Sequence, residues 1–348
     1  MSKAPEYYYN MLNKEQKKAY FMIKEGLLEM RNSFPVPRLS QKELSDIYFM
    51  IRMDHPEIFW SVTFSYSYYD DSSMVKLSPK YFFFDKEKRI EQKKALDSRI
   101  KKICSQMQKM NEKEKELFIH DFICNNVKYD KLKKEYSHEI IGALGNGTAV
   151  CEGIAKAVKI LCDNVGIWCI IALSDSNPEK GIKYRHAWNI IKINGQYYHL
   201  DATFDNTLSK DDVIRHDYFN LSDKKIFRDH EPVIWKIPEC ADNDSFYYRE
   251  NKISWTTFEE VEKRTKQAVK KGKTLLFHWR GGYFTKEVVK QIFDIFSKEA
   301  KEKNKTFLCS VNYAQAVVCV RFKDGVGESS VEVEEANEGE ALNKETLQ

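Results

Sequence analysis

The chain has 348 residues, 42% of them apolar and 13% aromatic, with only 14 Gly and 8 Pro, which excludes disordered, collagen-like and low-complexity classes for most of its length and predicts two or three domains. A mean hydropathy of −0.58, no run near ~18 apolar residues and an opening, MSKAPEYYYN, without an apolar leader exclude a membrane partner and predict a soluble, cytoplasmic protein. The net charge of +4 is uneven: from Asp324 onward the chain carries −7, leaving +11 on the preceding 323 residues. Those cations are interleaved with Glu and Asp at helical spacing and no aromatic–basic motif accompanies them, so nucleic acid is not an expected partner.

Apolar spacing predicts a helix over 6–31, and Ser40 is placed to cap another over 41–53. SFPVPR reads as a break between them. Alternation on both sides of Asp-Asp-Ser-Ser predicts a hairpin with strands at 58–68 and 74–84. Two charged amphipathic helices come next, 86–110 and 112–126. Residues 1–110 read as an α+β N-terminal region, 111–240 as the chemical core, 241–323 as a small α+β domain and 324–348 as a disordered acidic tail.

The eight cysteines show no Cys-x-x-Cys and no zinc-ligand spacing, so most read as small buried hydrophobes and no metal is expected. Cys151 differs. In GALGNGTAVCEGIAKAVKILCDNVGI, glycines break the preceding chain, Thr148 can cap a new helix, and Val150, Ile154, Ala157, Val158, Leu161 and Val165 form an apolar stripe. Cys151 therefore opens a helix, where backbone N–H groups and the dipole favour a thiolate and can face an oxyanion. Cys162, on the apolar side of the same helix, reads as structural.

Asn194-Gly195 between two apolar runs predicts a two-residue type I′ hairpin turn. Facing residues then sum to 389. Trp188 faces Asp201, His186 faces Thr203, and Asp201 lies diagonally beside His186, within hydrogen-bonding reach. Asp205 falls beyond the pairing and is expected to tolerate alanine. Cys151, His186 and Asp201, in that order, make a nucleophile, a general base and an orienting carboxylate. A structural cysteine and a polar cross-strand pair are the alternatives when each element is taken alone.

Three strings, AVCEGIAKAVKILCDNVGI, HAWNIIKINGQYYHLDATFDN and HDYFNLSD, resemble the transglutaminase-like superfamily, and LFIHDFICNNVKYD resembles the helix preceding the core in its bacterial members. The resemblance implies a papain-like α+β core carrying the Cys on a helix packed on an antiparallel sheet, with Cys151, His186 and Asp201 as the triad. It implies thiol-dependent acyl transfer at amides of a protein or peptide substrate, without a cofactor: a cysteine peptidase, an amidase or a transglutaminase. The alternative is an idle core that binds protein or peptide. No Trp lies between Trp60 and Cys151 to match the oxyanion Trp of animal transglutaminases. The oxyanion role therefore falls to the Cys151 backbone N–H, with the Tyr129 hydroxyl as a further candidate and Trp188 as a candidate cleft residue. Their calcium loops are likewise not recognisable here.

Overall fold

A computed structural model describes residues 6–68, 72–83, 85–210, 213–241, 245–325 and 329–333. The chain divides into two compact units: 1–206 with 231–239, and 207–230 with 240–348. Among the described residues no helix is long and apolar enough to cross a membrane.

In the first unit, the predicted helix over 6–31 is divided. A short 3-10 turn at Tyr9–Met11 precedes α1 (Lys14–Leu28), because Asn13 and Gln16 close a capping box that starts the helix afresh. The Pro-rich stretch is an edge strand, β1 (Phe34–Pro37), whose prolines are tolerated because only one side is paired. Ser40 caps α2 (Gln41–Asp54) with Glu43 completing the box. The hairpin forms as β2 (Ser61–Tyr68) and β3 (Met74–Tyr81), giving a three-stranded sheet in the order β1-β3-β2. Helices α3 (Lys86–Ser105) and α4 (Glu112–Asn126) lead to β4 (Lys128–Tyr129), which pairs in parallel with β5 (Thr148–Ala149).

Helix α5 (Cys151–Val165) is next, then β6 (Trp168–Ser174), β7 (His186–Ile193), β8 (Gln196–Leu200) and α6 (Ala202–Leu208). Strands β6, β7 and β8 are antiparallel neighbours, and α5 lies against β6 and β7. Asn189 of β7, 1% exposed, donates to Ala155 O at 3.0 Å and so bolts the sheet to the helix. The helix stops at Gly166, whose left-handed φ of 80° suits glycine.

The second unit begins with the short elements β9 (Phe219–Leu221), α7 (Asp223–Ile226), α8 (Tyr247–Glu250) and β10 (Ser254–Trp255). It continues through α9 (Phe258–Lys271), β11 (Leu275–Trp279), α10 (Lys286–Lys301), β12 (Lys305–Asn312) and β13 (Val317–Asp324) to β14 (Ser330–Val333). The sheet order is β10-β11-β13-β12-β14, with α10 crossing between β11 and β12, and Phe277, Ile292, Phe296, Val318 and Val320 at its core.

The acidic composition predicts disorder beyond residue 323, yet β13 runs to Asp324 and β14 pairs in parallel with β12 while Val331 packs on the core. One apolar contact and an open strand edge outweigh the local charge. The rest of that tail, 334–348, lies outside the described residues. Truncation after Asp324 should therefore lower the melting temperature of this unit by a few degrees, at roughly 2–8 °C per kcal/mol, and scanning calorimetry of the shortened chain checks it.

Candidate active site

The hairpin turn carries φ values of 49° at Asn194 and 83° at Gly195, as a type I′ turn requires. Pairing runs Ile193↔Gln196 through Asn189↔Leu200, in the register expected. It then stops. The strand does not reach Thr203, because Asp201 turns the chain into α6: its Oδ1 accepts from Thr203 N (2.8 Å) and Phe204 N (3.1 Å) as a helix N-cap. The other carboxylate oxygen, Oδ2, lies 2.6 Å from His186 Nε2. Asp201 is fully buried and His186 is 7% exposed. The imidazole packs on Trp188 (centroids 5.7 Å apart, 18° between planes) and on Phe204 (4.6 Å, 33°).

Trp188, expected as a cleft residue, is 1% exposed and donates its Nε1–H to His199 Nδ1 at 2.9 Å. It backs the imidazole instead of facing solvent. Asp205, expected to tolerate alanine, is also fully buried, and its Oδ2 lies 3.0 Å from His120 Nε2. Burial opposes charge on His120, but Cys124, Asp121 and Asp205 outweigh it and hold its proton well above the usual histidine range. One residue on, Asn206 Nδ2 donates to Cys124 O and Val127 O. The two ends of α6 are thus fixed differently, by His186 at its cap and by α4 one turn later.

Cys151 is the first residue of α5, with Val150, not Thr148, at the N-cap. Thr148 is taken up in β5, and Val150 is extended and makes no side-chain cap hydrogen bond. Cys151 Sγ lies 3.9 Å from Arg185 O, which places it next to the residue preceding His186. Tyr129, half-buried, sits opposite Ala149 in the β4–β5 pair, two residues before the thiol. Gly153, on the first turn, admits no side chain: a Cβ there would fall 2.2 Å from Ser137 O.

A charge cluster under this turn is absent from the sequence reading. Lys156 and Lys159 of α5 are fully buried. Lys156 Nζ lies 2.8 Å from both Glu139 Oε1 and Glu152 Oε1, and Arg52 of α2 reaches the same two carboxylates. His138 Nδ1 adds a contact to Glu152 at 3.1 Å. Burial opposes ionisation of Glu152, but Lys156, Arg52 and His138 outweigh it and hold its carboxyl well below the usual range. The visible signal is a Glu–Lys pair four residues apart, which normally marks a solvated face.

Lys156→Met strands two carboxylates on one arginine. Removal of a buried partner costs about 3–5 kcal/mol, so the melting temperature should fall by roughly 10 °C or more at neutral pH. In the wild type, the depressed Glu152 pKa stabilises the fold above the usual carboxylate range, and that contribution is lost as pH falls through the folded value. The gap between the two proteins should therefore narrow in acid, which melts recorded from pH 7 to pH 3 will show.

The transglutaminase-like superfamily profile matches residues 101–202, a span that includes Cys151, His186 and Asp201. Similar solved structures include a TGase (10% identity, 53% of each chain, TM-score 0.28). Others are a candidate cysteine protease from Cytophaga hutchinsonii (16%, 40% of this chain and 61% of that one, TM-score 0.27), and a candidate protease from Parabacteroides distasonis (14%, 40% and 36%, TM-score 0.23). The chain spans between about a third and three-fifths of those chains' own lengths, and at such scores the profile alone carries the assignment. No curated protein matches. With the three residues ordered on a helix start and an antiparallel hairpin, residues 101–202 belong to the transglutaminase-like superfamily.

Proposed function

We propose that the chain is a thiol-dependent acyl-transfer enzyme acting on amide bonds of a protein or peptide. The observation that carries this reading is the 2.6 Å pairing of His186 Nε2 with a buried carboxylate, with a thiol at a helix start 3.9 Å from the carbonyl of the preceding residue, Arg185. With Nε2 committed to Asp201, Nδ1 takes the Cys151 proton as Sγ adds to the carbonyl carbon. The oxyanion is received by helix amides, the Cys151 N–H first, with Tyr129 as a second candidate donor. The imidazolium then protonates the leaving nitrogen, the C–N bond breaks, and a thioester remains. Water or a second amine, deprotonated by Nδ1, displaces the thiol. Water makes the enzyme a peptidase or amidase, an amine a transglutaminase.

Iodoacetamide at pH 6 should alkylate Cys151 at least ~10-fold faster than Cys162 or Cys319. Cys151 and Cys319 are each 7% exposed, so the contrast rests on the helix start and His186 favouring the Cys151 thiolate, which is the nucleophile. Burial and the neighbouring Cys169 hold the Cys162 thiol well above its usual range, and burial pushes Cys104 up to about 11. Peptide mapping that finds Cys151 no faster than these would remove the proposal.

Asp201→Asn separates the two duties of that residue. Asparagine caps helices as well as aspartate does, so α6 and the melting temperature should survive. Its amide N–H, however, presents a donor to Nε2 and forces the ring proton onto Nδ1, the wrong tautomer. The rate of Cys151 acylation by a model ester should drop by about 10³–10⁴, the scale set by the equivalent change in a serine protease.

A further inference from the structure

The two loops beside the thiol are both basic, and each displays an exposed apolar side chain. The first, 130–138, is tied next to the strand entering Cys151, since Asp130 N donates to Ala149 O at 2.9 Å. Its carboxylate gathers the loop by accepting from Leu132 N (3.0 Å), Lys134 N (2.9 Å) and Ser137 Oγ (2.5 Å). The second, 175–185, ends at Arg185, whose carbonyl lies 3.9 Å from Cys151 Sγ. The loops meet: Lys133 Nζ lies 3.1 Å from the centroid of the Tyr184 ring. Leu132 is 77% exposed and Tyr184 54%.

Residues 131–134 read Lys-Leu-Lys-Lys and 180–185 read Lys-Gly-Ile-Lys-Tyr-Arg. Against these six cations the two loops carry four acids, Asp130, Glu135, Asp175 and Glu179. Some of the charge is answered locally: Lys180 pairs with Glu231 (2.7 Å) and Arg185 with Asp175 (3.1 Å), while Glu135 answers Lys80 (3.6 Å). Lys131, Lys133 and Lys134 lie on a loop whose two acids are engaged elsewhere: Asp130 accepts from Leu132 N, Lys134 N and Ser137 Oγ, and Glu135 faces Lys80. Leu132 adjoins Lys133 in the chain and the Lys133 ammonium lies on the Tyr184 ring, so two exposed apolar side chains flank one cation held on an aromatic face.

We propose that these loops select acidic peptide segments, seating an apolar side chain on Leu132 and Tyr184 beside the amide to be attacked. This rests on the reading of Cys151 as the reactive thiol. The cations raise the local concentration of anionic substrate, and the apolar pair fixes its register. The loops and the thiol share a single unit, so the selection operates at the point of attack.

The test uses the full-length chain and Cys151 itself as reporter. Iodoacetate and iodoacetamide are nearly equal in size and differ by one negative charge. At low ionic strength, K131E/K133E/K183E should slow iodoacetate at Cys151 about 5–10-fold and leave iodoacetamide within about twofold. The difference should vanish in 1 M salt, where the screening length is about 3 Å. A hexapeptide with four glutamates around a Phe-Gln pair should protect Cys151 from iodoacetamide, its lysine counterpart should not, and L132A/Y184A should abolish protection. A triple variant with an unchanged iodoacetate rate, or equal protection by both peptides, overturns the inference while leaving the enzyme reading intact. Failure of iodoacetamide to single out Cys151 in the wild type overturns both.

Discussion

One carboxylate holds the site together. Asp201 gives one oxygen to the first amides of α6 and the other to His186, so the capping of a helix and the orientation of an imidazole are the same event. A fully buried carboxylate is tolerable only when its lone pairs are engaged, and here backbone and imidazole share them. Trp188 and Phe204 both pack on the ring. The imidazole plane is therefore set by the fold itself.

The supports of that carboxylate come from elements distant in sequence. Helix α6 is pinned from α4, through His120 to Asp205 and through Asn206 to the last carbonyls of α4. The start of α5 is seated on Glu139, Glu152, Lys156 and Arg52, of which the last belongs to α2. Gly153 lets the 135–138 turn approach the helix backbone closely enough for Val150 N to donate to Ser137 O. Cys151 and His186 are thus held by separate frameworks, joined where Asn189 ties β7 to α5.

The part of the site legible in the sequence is local. Asn194-Gly195 determines the hairpin register because that dipeptide suits two successive positive φ values, and the register brings His186 and Asp201 together. The end of β8 is not legible, since Leu-Asp-Ala-Thr-Phe continues a strand pattern. The competing interaction, a side chain capping its own helix, leaves no periodic trace. Thr148 reads as the cap for a related reason: its pairing partner, Lys128, lies twenty residues upstream. Lys156 and Lys159 look like a solvated face until their long-range carboxylate and carbonyl partners are known.

The Arg52 contact has a consequence for modularity. The span recognisable as the family's core begins at residue 101, yet two carboxylates inside it, Glu139 and Glu152, share a counter-charge supplied from residue 52. Excised at its recognisable boundary, that core would carry two acids and one ammonium in the seat of α5, an electrostatic deficit built into the cut. The recognisable chemistry and the folding unit therefore have different borders. Arg52 makes α2 part of the electrostatic seat of α5, so that replacing that helix would disturb the first turn of α5 without touching Cys151, His186 or Asp201.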